Sequence, residues 1–128
     1  MRVSELMLRD VTLVPPEDTV QSAARAIADI DSRVILVGVE DRVVGVLTIR
    51  DILIRLVAAG LDPNATPVSQ VMSSSLFTCT EEDSAESIAE SMAEHRIEQM
   101  PVLDESGRLV GMITRRAAET LQSPSTAQ

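Results

Sequence analysis

Apolar residues fall at Val20, Ala23, Ala24, Ile27 and Ile30 with polar residues between them, the spacing of one helix face. Asp18 or Thr19 can cap this helix, and Pro15-Pro16 stand just ahead of it. Val34-Ile35-Leu36-Val37 is a short β-branched run, which predicts a buried strand. A polar turn region follows at 38–42, and Val43 to Ile49 predicts the second strand of a hairpin. Asp51 then starts a helix expected to run to about Ala59 and stop at Gly60. The same order returns downstream as helix 84–96, strand 100–103, turn Asp104-Glu105-Ser106-Gly107, strand 108–114 and helix 115–122. Gly60 to Pro67 reads as a linker, and 123–128 as a flexible polar tail.

The recurrence is visible in the residues themselves. Val3-Ser4-Glu5-Leu6-Met7 returns as Val68-Ser69-Gln70-Val71-Met72, and Asp18-Thr19-Val20 as Asp83-Ser84-Ala85. Arg42-Val43-Val44-Gly45-Val46-Leu47-Thr48 returns as Arg108-Leu109-Val110-Gly111-Met112-Ile113-Thr114. The chain is an internal duplication, divided as repeat 1 at 1–59, linker 60–67, repeat 2 at 68–122 and tail 123–128. One copy of about 60 residues could bury only a thin core. We therefore expect an α+β fold of two β-α-β-β-α repeats related by pseudo-two-fold symmetry, with sheets packed together and helices outside. A cleft between such repeats is a favoured small-molecule site.

Composition narrows the chemistry. The 128 residues carry 20 Asp and Glu against 11 basic residues, all Arg, for a net charge of −9. Without Lys there is no P-loop lysine and no Schiff-base lysine. One Phe, no Trp and no Tyr exclude an aromatic platform for nucleic-acid bases. The acidic balance disfavours nucleic acid and anionic membranes. No apolar run approaches the roughly 18 residues of a membrane span, and no signal peptide is evident, so a cytoplasmic location is expected. One Cys and one His are too few for a structural zinc site.

Thr48-Ile49-Arg50-Asp51 lies where a strand enters a helix. Backbone N–H groups at such a corner suit a phosphate. The Thr48 hydroxyl and Arg50 guanidinium add donors, and the Asp51 carboxylate can accept from both hydroxyls of a ribose. The bland alternative makes Asp51 a helix N-cap and Arg50 a solvated surface residue. The matching corner, Thr114-Arg115-Arg116-Ala117, has no carboxylate at the ribose position. His95 sits at a helix end without a nucleophile patterned around it, which gives it a capping or surface role. Cys79 reads as a buried, inert thiol in a strand. The acidic cluster Glu81, Glu82, Asp83 and Glu86 suits a helix start, and the Met residues at 72, 92, 100 and 112 are core filler.

These segments together resemble the CBS domain, the module named after cystathionine β-synthase, present twice as a Bateman module of the stand-alone bacterial type. The resemblance rests on Val-Ser-x-x-Met opening each copy, on His95-Arg96-Ile97-Glu98-Gln99-Met100-Pro101-Val102, and on the glycine–apolar–apolar–Thr segments ending in Thr48 and Thr114. It implies a regulatory or sensor module, not an enzyme, that binds an adenosine compound: AMP, ADP, ATP, NAD(H) or S-adenosylmethionine. No cofactor is required. Carried over by resemblance, one site combines Thr48, Arg50 and Asp51 with Leu76, Phe77, Ile97, Glu98 and Gln99, the apolar members holding an adenine. Glu98 disfavours a highly charged ligand and turns the expectation towards AMP. A degenerate second site would use Val11, Thr12, Asp31, Ser32, Arg33, Thr114 and Arg116. The implied partners are a second copy, through the apolar run Ile52, Leu53, Ile54, Leu56 and Val57, and a separate target protein. The alternative is a ligand-free scaffold that keeps the fold.

Overall fold

A computed structural model describes residues 1–30 and 32–122, with side chains through residue 119. Asp31 and the expected tail at 123–128 lie outside the described residues. The chain divides into two compact bodies: Thr12–Leu76, and Met1–Val11 together with the chain from Phe77 onward. The architecture is mixed α+β, with one three-stranded sheet in each body. No helix among the described residues is long and apolar enough to cross a membrane.

In the first body, Thr19 caps helix α1 (Val20–Asp29) by accepting a hydrogen bond from the Ser22 N–H at 3.1 Å. Its helical spacing buries Val20, Ala23 and Ile27. They pack in one core with Val14, Ile35, Val37 and Leu47 of the strands, each large side chain contributing about 1.5–3 kcal/mol by leaving water. Strands β1 (Leu13–Val14), β2 (Val34–Val39) and β3 (Arg42–Thr48) lie in that order, β1 parallel to β2 and β2 antiparallel to β3. Leu13 faces Leu36 and Val34 faces Thr48. The hairpin is irregular between Val37 and Gly38. A Cβ on Gly38 would lie 2.3 Å from the Arg42 carbonyl oxygen, so only glycine fits.

The helix expected from Asp51 begins two residues earlier. It is α2 (Ile49–Ile52), and it continues as a π-helical turn over Leu53–Val57. The Ala58 N–H reaches back five residues to the Leu53 carbonyl at 2.9 Å. Helix α3 (Val68–Val71) supplies Val68 and Val71, both fully buried. The Arg55 guanidinium donates to the carbonyls of Val71 (3.3 Å) and Met72 (3.0 Å), satisfying groups that a helix end leaves unpaired. Ser73 and Val46 then exchange backbone hydrogen bonds at 2.8 and 2.9 Å.

The second body repeats the plan. It contains strands β4 (Cys79–Thr80), β5 (Gln99–Leu103) and β6 (Leu109–Thr114), again parallel then antiparallel. Helix α4 (Ala85–His95) is capped by Ser84 and ends on Arg96 in the left-handed region, with φ 58°. Helix α5 spans Arg115–Gln122. The opening segment closes this body: Val3 is fully buried, and Leu8 exchanges backbone hydrogen bonds with Met112 at 2.7 and 2.8 Å. Each folded body thus takes its opening segment from the other sequence copy. That crossing explains the repeated glycine. A Cβ on Gly45 would lie 2.8 Å from the Ser73 carbonyl oxygen, and one on Gly111 would lie 2.7 Å from that of Leu8.

Candidate functional site

The Thr48 corner of the first body is built by a reciprocal cap. The Thr48 hydroxyl accepts from the Asp51 N–H at 2.9 Å, and Asp51 Oδ2 accepts from the Thr48 N–H at 3.0 Å. Thr48 is therefore the N-cap and Asp51 the third helical residue, which corrects the alternative that made Asp51 itself the cap. The cap turns the carboxylate into a fixed acceptor. Among the described residues, Oδ2 is occupied and Oδ1 has no hydrogen bond.

Two N–H groups expected to face a phosphate are already used. That of Asp51 meets Thr48, and that of Ile49 donates to the Arg33 carbonyl at 3.0 Å. The positive character of the corner rests on side chains instead. The Ile49–Arg33 bond continues the β2–β3 ladder beyond the Val34–Thr48 pair, bringing residue 33 beside residue 49. Arg33 and Arg50 are both exposed and have no ion-pair or hydrogen-bond partner for their guanidinium groups among the described residues. The resemblance placed Arg33 with the second site; its carbonyl meets the Ile49 N–H of the Thr48 corner. Its neighbour Ser32 uses its hydroxyl locally, accepting from the Val34 N–H at 3.2 Å.

The Thr114 corner of the second body has the same backbone circuit and different electrostatics. The Thr114 hydroxyl accepts from the Ala117 N–H at 3.1 Å, but Ala117 has no carboxylate to return the bond. The Arg115 N–H donates to the Glu98 carbonyl at 2.8 Å, as Ile49 does to Arg33. The Arg115 guanidinium then pairs with Glu119 at 2.8 Å and with Glu98 at 3.6 Å. The hydrogen bond that the Arg115 guanidinium donates to Glu119, with the Glu119 charge, pushes the Arg115 pKa up. Glu98, expected as a carboxylate facing a ligand phosphate, holds Arg115. Arg116 is exposed beside it.

The other expected residues fall into place as follows. Leu76 is half-buried at the end of the first body, and Phe77, which is 44% exposed, begins the second. Ile97 packs against the second core, and Gln99 starts β5 opposite Thr114. Val11 is half-buried and Thr12 exposed. Asp31 lies outside the described residues. A cavity of about 550 Å³ in the second body is lined by Thr80, Glu81, Glu82, Leu103, Asp104, Glu105 and Ser106. It contains none of the expected site residues, and its carboxylates repel anions.

His95 and Cys79 are the two remaining reactive side chains. The His95 ring meets the Phe77 ring, and its Nδ1 donates to the Ser91 carbonyl at 2.9 Å. Cys79 is buried against Pro101, its thiol pushed up to about 12 by burial and then by the Asp83 carboxylate. Among the described residues, no group of three or more His, Cys, Asp or Glu is placed to hold a metal ion.

Known proteins share this arrangement. The chain is 34% identical over 111 residues to hypoxic response protein 1 of Mycobacterium tuberculosis, covering 86% of this chain and 77% of that protein. It is 36% identical over 111 residues to the CBS domain-containing protein YhcV of Bacillus subtilis, covering 87% and 78%. Among solved structures, hypoxic response protein I with two coordinated zinc ions superposes with a TM-score of 0.83 at 30% identity, over 94% of this chain and 98% of that one. The CBS-domain profile matches residues 3–58 and 68–118, one match for each sequence copy. With two matched copies, two bodies on one plan and relatives matched along most of their length, the chain belongs to the CBS-domain family as a tandem pair.

Proposed function

We propose that this chain is a non-enzymatic regulatory module that binds one adenosine-type ligand, with AMP favoured, at the Thr48 corner. The observation that carries the reading is one acceptor and one cation on a strand-to-helix corner, with the backbone of a second cation, Arg33, hydrogen-bonded to it. Asp51 Oδ1 has no hydrogen bond, while Arg33 and Arg50 are exposed and unpaired among the described residues. A carboxylate held by its other oxygen is preorganised to accept from ribose hydroxyls. The Arg50 guanidinium suits a single phosphate, which it can bind bidentately.

The second corner supports a different role. Its Arg115 is neutralised by Glu98 and Glu119, and Ala117 offers no ribose acceptor. That half fits the scaffold reading, as a structural counterpart to a ligand-binding first half. Zinc is coordinated in the solved hypoxic response protein I; among the described residues here, no group of three or more His, Cys, Asp or Glu is placed to hold it. Cys79 is buried as a thiol, and His95 Nδ1 is committed to Ser91.

The apolar side chains beyond α2 favour self-association. Leu53, Ile54 and Val57 are 59%, 48% and 61% exposed, whereas Leu56 is buried in the core. We assign this face to a homodimer contact, with a separate target protein receiving the signal. Sedimentation at micromolar concentration is expected to give a dimer, and Leu53→Glu with Val57→Glu a monomer.

The ligand is tested by thermal shift and calorimetry against AMP, ADP, ATP, NAD(H) and S-adenosylmethionine. Saturable stabilisation by AMP is expected, since a ligand that binds only the folded state raises its stability. No response to any of the five would leave the scaffold reading for the whole chain.

A further inference from the structure

We propose that a bound monophosphate tightens the association of two copies of this chain, by neutralising an Arg50 that is otherwise enclosed between them as an unpaired cation. The inference rests on the AMP reading above and on the homodimer face assigned with it, and it adds the link between them. Both lie on one helix of the first body. α2 (Ile49–Ile52) runs without a break into the π turn Leu53–Val57, since Ile52 and Leu53 keep right-handed helical angles at the join. The Leu53 N–H bonds the carbonyls of Ile49 and Arg50, so the turn is closed across that join.

Helical spacing sets Arg50 among exposed apolar side chains. Residues three and four apart share a face, so Arg50 lies one turn before Leu53 and Ile54, and Ile49 one turn before Leu53. Ile49, Leu53 and Ile54 are all about half exposed. The other charges of this helix are engaged elsewhere. Asp51 follows Arg50 directly, and consecutive helical residues do not face each other; its Oδ2 is held by the Thr48 N–H. Arg55 gives its guanidinium to the Val71 and Met72 carbonyls. The Arg50 guanidinium has no ion pair or hydrogen bond among the described residues.

A two-fold contact uses the same face of both copies. It brings two Arg50 side chains into one apolar contact that has no carboxylate among Ile49, Leu53, Ile54 and Val57 to pair them. Taking a charge from water without a partner opposes association, and two like charges oppose it further. A monophosphate on each Arg50 removes both penalties, and the apolar side chains then drive the contact by leaving water. Linkage makes the effect mutual: the dimer holds the monophosphate more tightly than the monomer does.

Sedimentation across a dilution series measures the dimer Kd of the full chain alone, with saturating AMP, and with an equal concentration of adenosine, which carries no phosphate. AMP is expected to lower the dimer Kd about ten-fold, the scale of a coupling between sites, and adenosine to leave it within about two-fold. Arg50→Met keeps a long side chain and removes the charge. It should dimerise about ten-fold more tightly than wild type without ligand, and AMP should add nothing. A dimer Kd that AMP raises or leaves unchanged while calorimetry shows AMP bound, an equal effect of adenosine, or an Arg50→Met chain that dimerises no better than wild type would overturn the inference alone. A wild type that binds no AMP would overturn the AMP reading, and one that stays monomeric with and without AMP the dimer face; either takes this inference with it.

Discussion

The Thr48 and Thr114 corners share a backbone and differ in charge. In both, a threonine hydroxyl accepts from the N–H three residues on, and the next N–H bonds a carbonyl just ahead of the central strand. Three side-chain changes separate them. Asp51 becomes Ala117, Ile49 becomes Arg115 and Arg33 becomes Glu98. Among the described residues, the first corner keeps an unpaired Arg50 guanidinium and an oriented carboxylate, whereas the second neutralises Arg115 internally. Duplication preserved the circuit that shapes the chain, because the fold of each body depends on it. It left the charges free to diverge.

The largest expected effect breaks the likeness. Gly45→Ala and Gly111→Ala should each destabilise the protein by about 2–4 kcal/mol in denaturant titration, because each forces a crossing carbonyl to move. A loss in one variant only would show that the two crossings are not equivalent. Next is the difference itself. Asp51→Asn keeps an oxygen for the Thr48 cap but gives up the charged ribose acceptor. Calorimetry should show AMP affinity falling about 10- to 100-fold, the scale of a charge-assisted hydrogen bond, with little change in melting temperature.

A smaller effect completes the second corner. Ala117→Asp supplies the carboxylate that the Thr114 N–H lacks and should stabilise the fold by about 0.5 kcal/mol. It should create no AMP site, since Arg115 stays bound to Glu98 and Glu119. The smallest effect concerns Cys79. Its thiol is pushed up to about 12 when folded from its ordinary value of 9.0, so the native state holds the proton longer than the unfolded chain. Its stabilising contribution is complete below pH 9 and is lost as pH rises from there towards 12. At pH 8 a thiol reagent should label Cys79 only on unfolding, in contrast to an exposed thiol.

The helices and hairpins were legible because their side chains repeat at 3.6 or run apolar. Ala85–His95 and Val34–Val39 lie within a few residues of expectation. The strands Leu13–Val14 and Cys79–Thr80 are two residues long, too short for alternation to mark their bounds. The π turn left no trace, since Leu53 to Val57 reads as any apolar helix. Thr48 and Asp51 were legible as a pair, but which one caps the other depended on backbone angles. The backbone contact of Arg33 with Ile49 was not legible, because it exists only through the β2–β3 register. The Arg115–Glu98 pair was hidden for the same reason, as its members lie 17 positions apart in sequence.

The difference between the corners is tested most directly by the stoichiometry of AMP binding in calorimetry. The account predicts one AMP per chain, weakened about 10- to 100-fold by Asp51→Asn and unaffected by Arg116→Ala. Two AMP per chain, or one whose affinity is unchanged by Asp51→Asn and lost in Arg116→Ala, would contradict it.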